Sequence, residues 1–461
     1  MQPQRTQARN ILVTGATGYI GGRLTPRLIE RGHDVRVLAR TPDKLRGAPW
    51  AERATVIKGD LSDPASLAEA FAGADVIYHL VHSMGGTKDF KAEEQRAARN
   101  VVAAAEVAGV SRIVYLSGLH PSGVELSEHL SSRSEVGEIL MDSGIETIVL
   151  QAGVVIGSGS ASFEMIRHLT ERLPAMTTPR WVHNKIQPIA VNDVLHFLVE
   201  AAVAPVPESR TWDIGGPDVL EYGDMMQVYA EVAGLSKRRI LVLPLLTPTL
   251  ASRWVGTVTP IPGGLARPLI ESLEHDAVVS EHDIAAVIPP PPAGLTSYRR
   301  SVELALARID RGEVESTWEN AAPDHPPADP IPTDPAWAGE QSYTTSHSGT
   351  SPVDPAQLWD AVESYGGGTG EYSGPRRQRW RVVSSEPGKM LRLKSTHAVP
   401  GTAWLDVAVS GNGAGSRLDL RTVFYPRGVL GRGYWYATRP VHRKTFDTMA
   451  TDIIGAAESG A

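Results

Sequence analysis

The chain has 461 residues, a net charge of −7 and an isoelectric point near 6.1, with its Lys and Arg scattered along the sequence. Neither the basic footprint of a nucleic-acid binder nor a polybasic patch for a membrane surface stands out. The absence of cysteine excludes disulfides, thiolate metal ligands and a Cys nucleophile together.

At about 100 to 200 residues per domain, two or three domains are expected. Met1 to Asn10 is polar and runs straight into an apolar strand, leaving no room for the apolar core of a signal peptide. The most apolar later stretch, Ile240 to Pro262, is broken by Pro244, Pro248, Pro260 and Arg253, so no integral membrane segment is expected. These features predict a cytoplasmic protein.

The first apolar run, Arg9 to Val13, stops at Thr14-Gly-Ala-Thr-Gly-Tyr-Ile-Gly21, three glycines spaced G-x-x-G-x-x-G, and Leu24, Leu28 and Ile29 follow at helical spacing up to Gly32. The pattern predicts strand, tight turn and helix. Gly15 allows the reversal, Gly18 lets backbone N–H groups approach a pyrophosphate, and Gly21 lets helix and strand pack closely. The phosphates would face the positive end of the helix dipole. The same turn, with Thr17, Tyr19 and Ile20, is the predicted cofactor cradle.

A second strand, Asp34 to Arg40, ends without the carboxylate that usually meets an NAD ribose; Arg40, with Lys44 beyond it, favours NADP(H) over NAD(H). A third strand, Ala54 to Lys58, leads to Gly59-Asp60-Leu61-Ser-Asp63. There Asp60 either accepts from an adenine amino group or only supports the turn, and Asp63 before Pro64 makes a helix N-cap. The fourth strand, Asp75 to Val81, includes Leu80 and runs into His82-Ser-Met-Gly-Gly86, a loop expected above the cofactor. A helix from about Asp89 to Ala108 and the strand Arg112 to Ser117 complete five alternations, which imply a parallel sheet covered on both faces with ligands at the carboxyl ends of its strands.

Thr14 to Gly21, Gly59-Asp-Leu61, Val114-Tyr-Leu-Ser117 and Ile189-Ala-Val-Asn-Asp-Val194 together resemble the extended and atypical branch of the short-chain dehydrogenase/reductase superfamily, over about residues 9 to 235. The resemblance implies a catalytic Ser, Tyr and Lys, the Lys four residues after the Tyr. In the matching helix, His129-Leu-Ser-Ser-Arg133, the Tyr has become His129 and the Lys Arg133, and the Ser pair is reduced to Ser117-Gly118.

Arg stays protonated and cannot act as a base, whereas His129 can exchange a proton near neutral pH. One reading is hydride transfer to an electrophile needing little acid help, such as a quinone, enone or iminium, with His129 or His82 as proton donor. The other is binding without turnover, as in the NmrA-like redox regulators and the nucleotide-binding accessory subunit of respiratory complex I. Structural roles remain open for His129, His82 and Ser117. A sugar-nucleotide epimerase is disfavoured, because that chemistry leans on the missing Tyr.

Ile148 to Gly159 reads as a sixth strand followed by small residues that would border the nicotinamide, Ala152 and Val154 being the cofactor residues expected there. Ser160 or Ser162 can cap a helix Phe163 to Leu173. Met176 to Gln187, with Trp181, His183, Lys185 and Gln187, suits a pocket wall or lid, or a surface loop. Trp212 to Gly216 and a helix Tyr222 to Ala233 match the substrate side of the extended branch. Ile240 to Glu274, with prolines among Leu and Ile, predicts short pieces shaping an apolar substrate cleft, or a dimer contact, or ordinary core. Helix Ser297 to Arg311 closes this part.

Six prolines between Pro323 and Pro335 make a semi-rigid linker. Beyond it, a helix Pro355 to Tyr365, strands near 380–383, 390–394, 403–409 and 417–424, and a helix from about Pro440 to Ala457 resemble the START-like helix-grip fold of polyketide cyclases and lipid carriers. The phrases carrying this are Pro387 to Leu393, Val399 to Trp404 and Pro426 to Trp435. The order of the two domains resembles a bacterial group in which an atypical dehydrogenase carries such a module, and Tyr372 to Arg381 reads as short for that group, which implies a reduced cavity. Tyr434 and Trp435 line an apolar pocket or pack in the core.

The expected organisation is therefore an α/β Rossmann doubly wound domain over 1–318, with substrate parts at 160–190 and 212–318, a linker 319–340, and an α+β helix-grip domain 341–461. The expected ligands are NADP(H) and an apolar small molecule, with no metal site; a homodimer is compatible with the sequence.

Overall fold

In a computed structural model of the chain, residues 8–46, 48–82, 89–121, 123–243, 255, 259, 261, 263–311, 343–365, 371–374, 378–411, 413 and 415–460 are described. They form two compact units, divided between residues 311 and 343. The proline-rich linker lies outside the described residues, as do the loop 83–86 and the segment 244–254.

The first unit opens β1 (Asn10–Thr14), α1 (Tyr19–Glu30), β2 (Asp34–Ala39), β3 (Thr55–Lys58), α2 (Ala68–Phe71), β4 (Val76–His79), α3 (Phe90–Ala108), β5 (Arg112–Gly118), α4 (Glu128–Met141) and β6 (Glu146–Ala152). It continues β7 (Val155–Ile156), α5 (Ala161–Arg172), β8 (Ala175–Thr178), β9 (Lys185–Ile186), β10 (Ile189–Ala190), α6 (Val191–Ala201), β11 (Arg210–Ile214), β12 (Leu220–Glu221), α7 (Tyr222–Val232), β13 (Arg239–Val242), α8 (Gly263–Glu271), α9 (Ile284–Val287) and α10 (Tyr298–Arg311). Seven strands make one parallel sheet in the order β11-β6-β5-β4-β1-β2-β3. The order reverses direction between β1 and β4, and their carboxyl ends frame the crevice where such sheets bind ligands.

The run Ile11-Leu-Val13 is almost wholly apolar because both of its faces are covered, with Ile11 and Val13 packed in one core and Leu12 in the other. Gly109 takes φ +69° and ends α3 in the left-handed conformation that favours glycine. Asp63 accepts from the Ala65 N–H at 3.1 Å, the capping role open to it from sequence. Ser160 caps α5 through the Phe163 N–H.

Packing selects among the roles left open for two segments. Trp181 is buried edge-on against Tyr222 at 5.3 Å between ring centres, and the Gln187 amide donates to the Gly216 carbonyl at 2.8 Å and accepts from the Val279 N–H at 3.0 Å. Segment 176–187 is thus core on one side, through Met176, Trp181 and Gln187, and surface on the other, where Thr177, Arg180, His183 and Lys185 are exposed and His183 pairs with Glu221 at 2.8 Å. Val255, Ile261, Ala266, Ile270 and Leu273 are all buried in the core formed with α5 and α7, the ordinary-core role among those left open for Ile240 to Glu274.

The second unit runs β14 (Tyr343–Ser351), α11 (Pro355–Tyr365), β15 (Glu371–Gly374), β16 (Gln378–Glu386), β17 (Met390–Ser395), β18 (Gly401–Gly411), β19 (Ser416–Pro426) and α12 (Gly428–Ser459). Its six strands form an antiparallel sheet in the order β14-β19-β18-β17-β16-β15, with Leu358, Leu393, Leu405, Phe446 and Ile453 in the core shared with the helices.

The closing helix begins twelve residues before Pro440, its expected start. Gly428 adopts φ +60°, and a Cβ on Gly431 would fall 2.3 Å from the Pro400 carbonyl oxygen, so two glycines let the helix start hard against β19. Pro440 lies on the exposed side, where water can satisfy the helix carbonyl that its missing N–H leaves open.

Candidate functional site

Gly15 sits at φ +86°, and a Cβ there would lie 2.8 Å from the Leu80 carbonyl carbon and 3.1 Å from the Val81 nitrogen. A Cβ on Gly21 would lie 2.3 Å from the Gly15 oxygen, whereas one on exposed Gly18 would meet only that oxygen, at 3.2 Å. Gly15 and Gly21 thus hold β1, β4 and α1 together, and Gly18 leaves the entrance bare. No side chain caps the first turn of α1. Its orphan N–H groups, at Tyr19, Ile20 and Gly21, face the side on which an anion is stabilised by the helix dipole. The cradle fits a dinucleotide pyrophosphate.

Around this turn the structure gathers several of the expected cofactor residues. Leu80 and Val81 abut Gly15, Thr17 is half-buried, and a Cβ on Gly157 would lie 2.5 Å from the Tyr19 hydroxyl. Ala152 is buried at the end of β6, with Val154 just beyond it. Arg23 stacks its guanidinium over the Tyr19 ring at 4.0 Å and donates to the Ser158 carbonyl. Tyr19, Arg23, Gly157 and Asn192 line a recess of about 440 Å³, open solvent included.

Arg40 and Lys44 are exposed past β2, the charge of Arg40 acting on Asp60. Asp60 accepts from the backbone N–H of Ser62 at 2.9 Å and from its hydroxyl at 2.8 Å; these bonds first, and Arg40 further, pull its carboxyl below the usual range. Asp60 therefore does the turn-supporting work that the sequence left open. Leu61 is buried, and its carbonyl accepts from Asn100 at 2.8 Å.

The carboxyl ends of β4 and β5 and the start of α4 bring the other candidates together. Ser127 caps α4, setting His129 in its first turn and Arg133 one turn later. Arg133 donates to the Leu116 carbonyl at 2.5 Å, and its charge bears on His79, His82, His129 and Tyr115. Ser117 is buried beside the Tyr115 hydroxyl. His79 and His120 escape a motif search because neither carries a spacing signal. His79 packs on Tyr115 at 5.7 Å between ring centres, and His120 Nε2 lies 3.1 Å from the Gln151 amide.

Burial first, then Arg133, lowers His129 to a pKa of about 3 and His79 to about 4. This corrects the expectation that His129 exchanges a proton near neutrality: in an apolar setting beside a fixed cation its imidazole stays uncharged. His82 is open to solvent on one side and crowded by protein on the others; the crowding, then Arg133 and His129, lowers its pKa, and the open side lets water moderate the effect.

Both rings are neutral when folded, while unfolded histidine takes a proton near the ordinary 6.5. Their stabilising contribution is present above that pH and is lost as pH falls towards the folded values. Stability of the first unit is expected to drop between about pH 6.5 and 4, by up to about 1.4 kcal/mol per pH unit for each ring. Denaturant titrations should show a shallower drop in His129→Asn, and equal slopes would refute the assignment.

In the second unit, Trp435 stacks on Phe424 at 5.7 Å and on Tyr343 at 5.3 Å, and with Tyr434 and Trp404 borders a recess of about 520 Å³, solvent at its mouth included. Trp435 both packs in the core and lines the recess.

Residues 15–153 match a family model described as NAD(P)H-binding, and residues 368–449 match one described as a protein of unknown function, DUF2867. A 3-beta-hydroxysteroid dehydrogenase of Mycolicibacterium neoaurum is 36% identical over 121 residues, which are 24% of this chain and 32% of that protein; the chain thus spans about a third of that relative's length. Citrobacter sp. triphenylmethane reductase complexed with NADP(H) superposes with a TM-score of 0.52 at 19% identity, over 64% of this chain and 99% of that one. The NADPH-dependent quinone oxidoreductase of Escherichia coli, complexed with NADPH, gives 0.51 at 20% identity, over 64% and 99%. These two likenesses are of fold. The first unit thus carries a region matching the NAD(P)H-binding model, and the second a region matching DUF2867.

Proposed function

We propose that the chain is an NADP(H)-dependent oxidoreductase that reduces an apolar electrophile of the quinone or enone kind. The observation that carries this is the replacement of the usual acid pair by His129, neutral and with a buried Nδ1 that has no hydrogen-bond partner among the described residues, one helical turn from Arg133. Gly18 and the first turn of α1 would hold the pyrophosphate and Arg40 a 2′-phosphate, Lys44 standing near enough in sequence to assist. The bound nicotinamide supplies a hydride.

His129 can orient a substrate oxygen by hydrogen bonding but has no proton to give near neutrality, and Arg133 keeps its own while offsetting developing negative charge. A simple ketone, whose alkoxide needs a proton at once, is poorly served. A quinone or enone spreads the incoming electron pair over a conjugated system, and its proton can come from water. The E. coli and Citrobacter reductases that share this fold support the choice of acceptor by analogy only.

Full-length protein with NADPH should oxidise the cofactor in the presence of quinones or enones, with kcat/KM free of a histidine inflection between about pH 5 and 8. His129→Leu should lower kcat/KM about tenfold, the worth of one lost hydrogen bond to substrate. An inflection near the ordinary histidine pKa would overturn the role given to His129. The altered Tyr and Lys positions favour a second reading, binding without turnover. Tight NADPH binding with no acceptor reduced would select it.

A further inference from the structure

From Leu420 to Phe446 the sequence has six basic residues and no acid, inside a chain whose net charge is −7. Averaged over the whole chain this run disappears. It coincides with the first half of α12, and there the outward face is apolar: Val429 is 49% exposed, Leu430 81%, Tyr436 64% and Val441 46%. Large hydrophobic side chains this exposed are scattered singly elsewhere among the described residues, except for Leu241 and Leu243.

Positions 429, 433, 436 and 440 form one row along the helix, and 430, 437, 441 and 444 the row beside it. A Cβ on Gly433 would meet nothing within 4 Å. The opposite face, with Trp435 and Phe446, is buried against the sheet. Arg427 precedes the stripe, Arg439 and Arg443 flank it one turn apart, and Lys444 lies within it; among the described residues none of the four forms an ion pair. The stripe ends at Asp447, which bonds His347 at 2.5 Å.

A helix apolar on its exposed face and fringed by unpaired cations fits the boundary between lipid headgroups and acyl chains. We propose that the second unit docks on an anionic phospholipid surface through residues 429–444 of α12. The exposed stretch from Val429 to Val441 is about 18 Å long at 1.5 Å per residue, enough to lie flat in that interface. Among the described residues no helix is long and apolar enough to cross a membrane, so the contact is peripheral. Cations without acids favour an anionic lipid surface over a zwitterionic one, whose phosphates are offset by choline and which has no net charge. The apolar stripe distinguishes this from diffuse charge attraction.

The test is co-sedimentation of the full chain with vesicles of phosphatidylcholine alone and of phosphatidylcholine mixed with phosphatidylglycerol. Binding is expected to be at least about tenfold stronger to the anionic vesicles and to weaken as salt is raised. Arg439→Glu with Arg443→Glu should remove the anionic preference. Leu430→Asp should weaken binding about tenfold, with melting and NADPH affinity unchanged, since these side chains project from the fold. Equal binding to both vesicles, or none, overturns the proposal. So does a dimer in light scattering that Leu430→Asp abolishes while vesicles stay unbound, which would assign the face to a second copy.

Discussion

Replacing Gly15 by alanine is expected to remove nucleotide binding and to weaken the first unit as well. Two causes add. At φ +86° an L-residue sits in a sparsely allowed region, at about 1 to 3 kcal/mol. The new Cβ also falls 2.8 and 2.9 Å from the carbonyl carbon and oxygen of Leu80, backbone atoms that have no rotamer to move into. Relief requires β1 and the end of β4 to part, and that gap is where the cofactor cradle lies. A drop in NADPH affinity of about 100-fold or more should accompany a lower melting temperature.

Gly18→Ala separates the two effects. Its φ of −92° suits any residue, and its Cβ would meet only the Gly15 oxygen at 3.2 Å, so folding should survive while the methyl blocks the approach of phosphate. Calorimetry with NADPH and thermal melting on both variants decide the matter. If Gly18→Ala binds as well as the parent, the cradle is not the phosphate site.

The glycine turn was legible because its requirements are local: φ at one residue, close approach at two others, and an apolar run on either side. The parallel sense of the main sheet follows from the alternation of strand and helix. What escaped were elements whose signal is not apolar periodicity. Strand β14, Tyr343–Ser351, is mostly Ser, Thr and Gly, an edge strand whose buried positions are His347 and Ser351. The early start of α12 was hidden by Pro440, which reads as a first-turn proline but sits mid-helix on a solvent face.

At the site, spacing on one helix identified His129 and Arg133 as a pair. It carried no information on burial, and burial sets the charge state of His129. Likewise Trp181 and Gln187 read as pocket residues from their chemistry, although packing places them in the core. Sequence chemistry names what a residue can do; the density of protein around it selects among those roles.

The largest stability effect is expected at Arg167 in α5. Glu164 and Arg167 are respectively 0% and 1% exposed, and Arg167 donates to both carboxylate oxygens at 3.0 Å. The carboxylate also accepts from the Gly159 N–H at 2.9 Å. Arg167→Met leaves that carboxylate buried without its cation, which costs about 3 to 5 kcal/mol, a fall of roughly 10 °C in melting temperature for a unit of this size.

Adding Glu164→Gln keeps an acceptor for Gly159 and removes the stranded charge, so the double variant should be more stable than Arg167→Met alone. The loop beyond Gly157 touches Tyr19, and Arg23 reaches the Ser158 carbonyl, so loosening the loop should also weaken NADPH binding, about tenfold. The prediction fails if the single variant melts within about 1 kcal/mol of the parent, or if the double variant is no better than the single. Success would show that an ion pair in the core of α5 and α7 holds the cofactor cradle in shape from behind.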